Sequence, residues 1–376
     1  MAGRSGPDPV SAATKDFVMA STPVCLAEKG RKIAKPGRKG YLRCLVAPAF
    51  VFDVRSMIVA SDFRPLWWLR NAHLQPLGPV FVRSRPRLAL RPERVELADG
   101  DFLDLAWHDA DGPLVVVLHG LEGSLRSHYA SSLMAALVAS GYQAVFMHFR
   151  GCSGEPNRLD RAYHSGDTAD LAAVAEHASA QTGKPLFAVI GYSLGGNMLL
   201  KWLGERGDSA PVATAVAVSV PFRLADGARR MSRGLSRIYE RHLVGRLQRG
   251  YVRKFAGRSP PLAVQVETLD SFWTFDDRVT APLHGFRDVH DYYRRSSSRG
   301  FLRDIRRPTL ILHARDDPFM FPESVPSETE LAEAVTLELS NHGGHVGFVG
   351  GTLAPRYWLE HRILSHLDGR RSPDGA

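Results

Sequence analysis

The feature that most constrains this chain is an alternation of short apolar runs with longer amphipathic stretches. LVVVLHG (114–120), QAVFMHF (143–149), PLFAVI (185–190), ATAVAVSV (213–220), PTLILHA (308–314) and VTLEL (335–339) recur along the sequence, with stretches at about 127–140 and 165–181 that read as helices. A continuous β-branched run such as LVVVLHG, without polar alternation, is expected of a strand covered on both faces. Strands that alternate with helices need right-handed crossovers, so the expectation is an α/β fold with a mainly parallel central sheet flanked by helices. Ahead of these runs, RVELADGDFLDLAW alternates around Asp99-Gly100, the pattern of a β-hairpin. An apolar-faced helix near 353–367 closes the chain.

With 376 residues, 44% hydrophobic and 23% charged, the chain can bury one large core with additions. Its positive charge is concentrated: residues 1–56 hold ten Lys/Arg against four Asp/Glu, six of the nine net charges. That Ala/Gly/Pro/Lys-rich segment has no sustained periodicity and reads as a disordered or weakly ordered basic extension, a targeting arm or an upstream misreading before a true start at Met57. Residues 57–376 are expected to form the globular domain. CLVAPAFVFDVRSMIVA is too short to span a bilayer and is broken by Asp53 and Arg55, so neither a membrane anchor nor a signal peptide is expected. Cys25, Cys44 and Cys152 are scattered without C-x-x-C spacing. They indicate neither a disulfide framework nor a zinc site, and a cytoplasmic location fits.

About eighty residues, 221–300, separate two strands that should be neighbours in the sheet. An insertion of that size usually covers something, and a helical lid is expected. Within it, Leu235, Ile238, Tyr239, His242, Leu247, Tyr251 and Phe255 recur near helical spacing among arginines. A basic amphipathic helix of this kind suits peripheral contact with an anionic membrane, or a lid whose arginines are simply solvated.

The stretch AVIGYSLGGNML contains Gly191-Tyr192-Ser193-Leu194-Gly195, a G-x-S-x-G placed after a buried strand and before a helix. There it reads as a nucleophile elbow, with Ser193 on a strained turn. A phosphate cradle would require a G-x-G-x-x-G or G-x-x-x-x-G-K-[ST] pattern, and neither is present. A serine hydroxyl needs a base and an orienting acid, and both follow in the order acid then histidine. His345 in NHGGHVGF is the expected base, with His342 its competitor. In ARDDPF the G-x-x-D pattern, with alanine for glycine, favours Asp317 over Asp316 as the acid. Backbone N–H groups of Leu194, and of Leu121 in the loop HGLEG, are the expected oxyanion donors, and His119 is expected to shape that loop.

At these residues the sequence resembles the α/β-hydrolase superfamily and, within it, the YheT-like esterases. The resemblance extends from about Phe63 to Leu367 through RNAHLQ, HGLEGS, HFRGCSGEPN, YHSGDTADL, GYSLGGNMLLKWLGE, FDDRVTAPLHGF, DDPFM and GGHVGF. It implies a serine carboxylic-ester hydrolase without a cofactor or metal, with Ser193, Asp317 and His345 as the triad. Eukaryotic relatives act on lipid esters and carry an N-terminal anchor that this sequence does not show. Phe149 departs from the asparagine of many relatives and is expected to alter packing near the pocket. Asp276, Asp277 and His284 offer weak metal-ligand spacing and are expected to hydrogen-bond the lid to the core.

The expected substrate is a small-molecule ester of short or medium acyl chain, or a lipid ester; thioesters and amides stay open, as does oligomeric state. A non-catalytic ligand-binding protein on the same fold is the alternative reading. Nucleic-acid binding is not expected, because the arginine-rich insertion lacks interleaved stacking aromatics.

Overall fold

The computed structural model describes residues 56–83 and 86–371. The expectations for the extension, including Cys25 and Cys44, fall on residues 1–55, outside the described residues.

In chain order, β1 (Ile58–Ala60), α1 (Leu74–Val82), β2 (Arg91–Glu96), β3 (Phe102–His108) and β4 (Leu114–Leu118) precede α2 (His128–Ala139) and β5 (Gln143–Met147). Next come α3 (Thr168–Thr182), β6 (Leu186–Tyr192), α4 (Leu194–Arg206) and β7 (Thr214–Val218). The insertion then contributes α5 (Leu224–Met231), α6 (Ser236–Lys254), α7 (Phe272–Phe275), α8 (Ala281–Leu283) and α9 (Val289–Ser296). The chain returns to the sheet as β8 (Thr309–Ala314) and β9 (Val335–Ser340), and ends with β10 (Val349–Gly350), β11 (Arg356–Tyr357) and α10 (Trp358–Asp368).

Nine strands form one sheet in the order β1-β9-β8-β7-β6-β4-β5-β3-β2. All neighbours are parallel except β2 with β3 and β3 with β5. The antiparallel pair is the hairpin expected around Asp99-Gly100; Gly100 takes the left-handed conformation its turn requires, at φ 82°. Every residue of β4, β5, β7 and β8 is buried, which explains their unbroken apolar sequences. Alternate side chains point to opposite faces. Val116 and Leu118 pack with Val174, Met198 and Leu199 of α3 and α4. Val115 and Val117 pack with Leu133, Leu137, Ile363 and Leu367 of α2 and α10. Each such buried aliphatic side chain contributes roughly 1.5–3 kcal/mol of transfer free energy.

Three differences from the sequence expectations have physical causes. β1 adds a parallel edge to β9, with Ile58 opposite Leu337, and three residues are too few to show a period. α1 forms from LQPLGPVFV; Pro76 falls in its first turn, where the missing N–H costs no helical hydrogen bond, and the second proline, Pro79, weakens any helical reading of the sequence. The basic stretch of the insertion is not one continuous amphipathic helix. Gly234, at φ 56°, breaks it between α5 and α6. The restarted helix buries Ser236, Glu240 and Val244, so Leu235 and Ile238 are left 62% and 65% exposed. No helix of the described residues is long and apolar enough to cross a membrane.

Candidate active site

Ser193 stands between the last residue of β6 and the first of α4, with φ 51° and ψ −115°. A non-glycine residue there is strained, and the surroundings hold it. Its N–H donates to Val218 O at 2.8 Å. The flanking glycines are required by space: a Cβ on Gly191 would come within 2.5 Å of Gly195 O, and one on Gly195 within 2.5 Å of His119 O. The turn therefore closes only with hydrogens at both positions, and it projects the Ser193 hydroxyl off the end of the sheet.

The structure brings His345 and Asp317 to that hydroxyl. His345 Nε2 lies 3.0 Å from Ser193 Oγ, and His345 Nδ1 lies 2.8 Å from Asp317 Oδ2. The other Asp317 oxygen accepts from Phe319 N at 2.9 Å, and the Phe319 ring stacks on the imidazole at 4.0 Å between centroids. Asp316 faces elsewhere: it accepts from Gly344 N at 2.9 Å and meets His342 Nδ1 at 3.3 Å, so it braces the loop that carries His345. His342 is half exposed and is not brought to Ser193.

The loop after β4 passes on the other side of the serine. His119 is buried; its Nε2 accepts from Phe149 N at 3.1 Å, which leaves Nδ1–H to donate to Gly120 O at 2.6 Å. Burial lowers its pKa to about 3, so the imidazole is neutral and structural. Gly120 N donates to Tyr129 OH and Glu122 N to Tyr163 OH, both at 2.9 Å. Between them, the N–H of Leu121 has no protein acceptor among the described residues. The N–H of Leu194 likewise lies outside the helical ladder, as the first residue of α4. Phe149 packs against His119 with centroids 4.1 Å apart, so it supports this loop from behind.

Several supporting residues escaped the motif reasoning. Ser219 Oγ accepts from Val346 N at 3.0 Å, fixing the histidine loop to the end of β7. Gln75, in RNAHLQ, is fully buried; its Nε2 donates to Leu69 O at 2.7 Å and Val349 O at 3.2 Å, and its Oε1 accepts from Val349 N at 2.7 Å. A Cβ on Gly347 would come within 2.6 Å of the Gln75 backbone, so the glycines of GGHVGF let this loop lie directly on α1. Arg150 of HFRG is buried, bidentate to Asp170 at 2.8 and 2.7 Å, and reaches Asp99 and Asp101. No local period marks such residues, because their partners are distant in sequence.

Ser193, His345, Leu121 and Leu194 line a cavity of about 830 Å³ including its mouth. The insertion supplies much of its wall, from Leu224 and Met231 through Leu243, Leu247 and Phe272 to Tyr292 and Tyr293. Asp277 Oδ1 accepts from Val289 N at 3.1 Å. His284 bridges Thr280 O at 2.7 Å and Ala162 O at 3.1 Å, joining insertion to core. Among the described residues no three His, Cys, Asp or Glu side chains are grouped so as to hold a metal ion.

A mostly parallel sheet that presents a serine on a strained strand-to-helix turn defines an α/β hydrolase, and the chain belongs to that superfamily: the family described as the alpha/beta hydrolase fold matches residues 113–352. Within it the chain is YheT-like. It is 43% identical over 324 residues to "Putative esterase YheT" of Escherichia coli (strain K12), a match spanning 84% of this chain and 95% of that protein. "Phospholipase ABHD3" of Mus musculus is 30% identical over 308 residues, spanning 78% of this chain and 75% of the relative. Among solved structures, the esterase Pf2001 of Pyrococcus furiosus shares the fold with a TM-score of 0.50 at 18% identity, covering 76% of this chain and 99% of that one. The protein is thus an α/β hydrolase of the esterase and lipase type.

Proposed function

We propose that the protein is a serine carboxylic-ester hydrolase. The observation that carries this reading is the chain of contacts from Ser193 Oγ to His345 Nε2, 3.0 Å, and from His345 Nδ1 to Asp317 Oδ2, 2.8 Å, at the floor of a largely apolar cavity. His345 takes the Ser193 proton as the hydroxyl attacks the ester carbonyl, and Asp317 holds the imidazole tautomer and steadies the imidazolium. The N–H groups of Leu121 and Leu194 hold the developing oxyanion. Loss of one such donor typically costs about 100- to 1000-fold in turnover. His345 returns the proton to the departing alcohol, and a water activated by the same imidazole releases the acyl group.

The apolar wall suits a short or medium acyl chain or one chain of a lipid ester, in keeping with relatives named esterase and phospholipase. Residues 221–300 act as the lid. Exposed Leu235 and Ile238, beside Arg237 and Arg241, give the outer face of α6 the composition for peripheral contact with an anionic membrane.

Labelling with a fluorophosphonate probe tests the assignment. A mass-spectrometric adduct on Ser193, absent in Ser193→Ala, is the expected outcome and would lead to an ester panel graded by acyl length. Wild-type protein that forms no adduct and hydrolyses no ester would refute it.

A further inference from the structure

Asp276 is the only acidic side chain among the described residues that line the cavity, and ester hydrolysis as derived above gives it no task. It opens a single turn of π-helix, Asp276–Thr280, a local widening that recurs at functional sites. Its Oδ1 accepts from Thr280 Oγ1 and its Oδ2 from Tyr293 OH, both at 2.7 Å. A carboxylate has about four acceptor positions, so each oxygen keeps capacity for a further donor. Burial raises its pKa to about 6, opposed only by those two hydroxyls, so at neutral pH it is an ionised group with no cation paired to it among the described residues. Tyr292 cannot serve it, because that hydroxyl already donates to Ser165 Oγ at 3.0 Å. A desolvated carboxylate short of donors is stabilised by any ligand that supplies one. A hydroxyl is the fitting donor here, since it costs far less to desolvate than an ammonium group in an otherwise apolar cavity.

We propose that Asp276 is a substrate-binding residue whose carboxylate accepts a hydrogen bond from a hydroxyl carried by the ester, so that the enzyme selects hydroxylated esters over plain ones. This rests on the hydrolase reading and deepens it. The hydroxyl can sit on the alcohol or on the acyl chain, and matched substrates separate the two: glycerol monooctanoate and propyl hydroxyoctanoate, each against propyl octanoate. Wild type should favour one hydroxylated ester. Asp276→Asn should lose about ten- to hundredfold in kcat/KM on that ester, mainly through KM, and clearly less, within about threefold, on propyl octanoate. An equal loss on all esters, or an unchanged preference, would overturn the proposal. Tyr293→Phe, which keeps the carboxylate and removes a neighbouring bond, should retain the preference; if it abolishes it as fully as Asp276→Asn does, the carboxylate serves only the fold. Calorimetric binding of the two hydroxylated esters to Ser193→Ala, with and without Asp276→Asn, reads the same contact independently of turnover. Equal affinities there would overturn the inference even for an active hydrolase, and a roughly tenfold weakening would support it even if Ser193 proved idle.

Discussion

Gln75→Met replaces a buried amide by an apolar side chain of similar length and isolates what RNAHLQ does. Three hydrogen bonds disappear, to Leu69 O, Val349 O and Val349 N. Val349 O keeps a second donor, Leu66 N at 3.0 Å, so the groups left without the amide are Val349 N–H and Leu69 O. At about 1–3 kcal/mol for each buried unsatisfied group, the expected destabilisation is about 2–6 kcal/mol. That is a large part of a typical unfolding free energy of about 5–15 kcal/mol. The effect should also reach the chemistry, because the segment carrying His345 lies on the Gln75 backbone at Gly347 and against Ala72 O and the Gln75 side chain at Gly344. A shift of that loop by about 1 Å would lower turnover by about a hundredfold. Urea unfolding measures the first effect, and ester turnover well below the new midpoint measures the second. A variant within about 0.5 kcal/mol of wild type with full turnover would refute the claim that this amide anchors the histidine loop.

The two acids make opposite predictions. Asp317→Asn should reduce kcat by about 10³- to 10⁴-fold by presenting an amide to His345 Nδ1, whereas Asp316→Asn, which can still accept from Gly344 N, should cost less than about tenfold; the reverse order would move the triad acid to Asp316. Acid should unfold the protein early. Burial holds His119 at about 3 and His148, His313 and His366 at about 4, all below the ~6.5 of an unfolded imidazole. Each contributes stability that is present above pH ~6.5 and is lost as pH falls toward its folded value, while Asp276, raised to about 6, works in the opposite sense between about pH 6 and 4. Across these five groups the unfolded state binds about three more protons near pH 5, a contribution that lowers the unfolding free energy by about 4 kcal/mol per pH unit there. Urea midpoints that stay flat from about pH 7 to about pH 5 would contradict a core of neutral histidines.

The central sheet was legible because its strands are covered on both faces, so burial wrote an unbroken apolar run at each. Ser193 and His345 could be singled out for a related reason: a tight turn and a glycine-rich loop leave local marks, glycines where Cβ atoms would collide, whereas Asp317 was read from its place just after a buried strand and the G-x-x-D spacing. What escaped depends on distance in sequence. Gln75 acts on Val349 and Ser219 on Val346, single polar residues whose partners only the fold supplies. Periodicity also erred at Leu235 and Ile238. Their spacing placed them on an apolar face, but α6 turns Ser236, Glu240 and Val244 inward instead, because Glu240 finds buried donors there, accepting from Ser232 Oγ at 2.8 Å and Phe272 N at 3.1 Å.

Asn197, four residues beyond Ser193, ties α4 to two distant segments. Its amide nitrogen donates to Ser165 O at 2.9 Å and Ser296 O at 2.8 Å, and its oxygen accepts from Ser298 N at 2.8 Å. Close by, a Cβ on Gly204 would come within 2.3 Å of Phe301 O, so α4 and the chain after α9 are in direct backbone contact. The later end of the insertion is thus riveted to α4, the helix that follows Ser193, and lifting it would break two buried bonds at once, those of Ser296 O and Ser298 N. α9 and its tyrosines are thereby held as one wall of the cavity, with α5 packed on them through Leu224 and Ala228, so the shape of that wall is set by contacts made to α4.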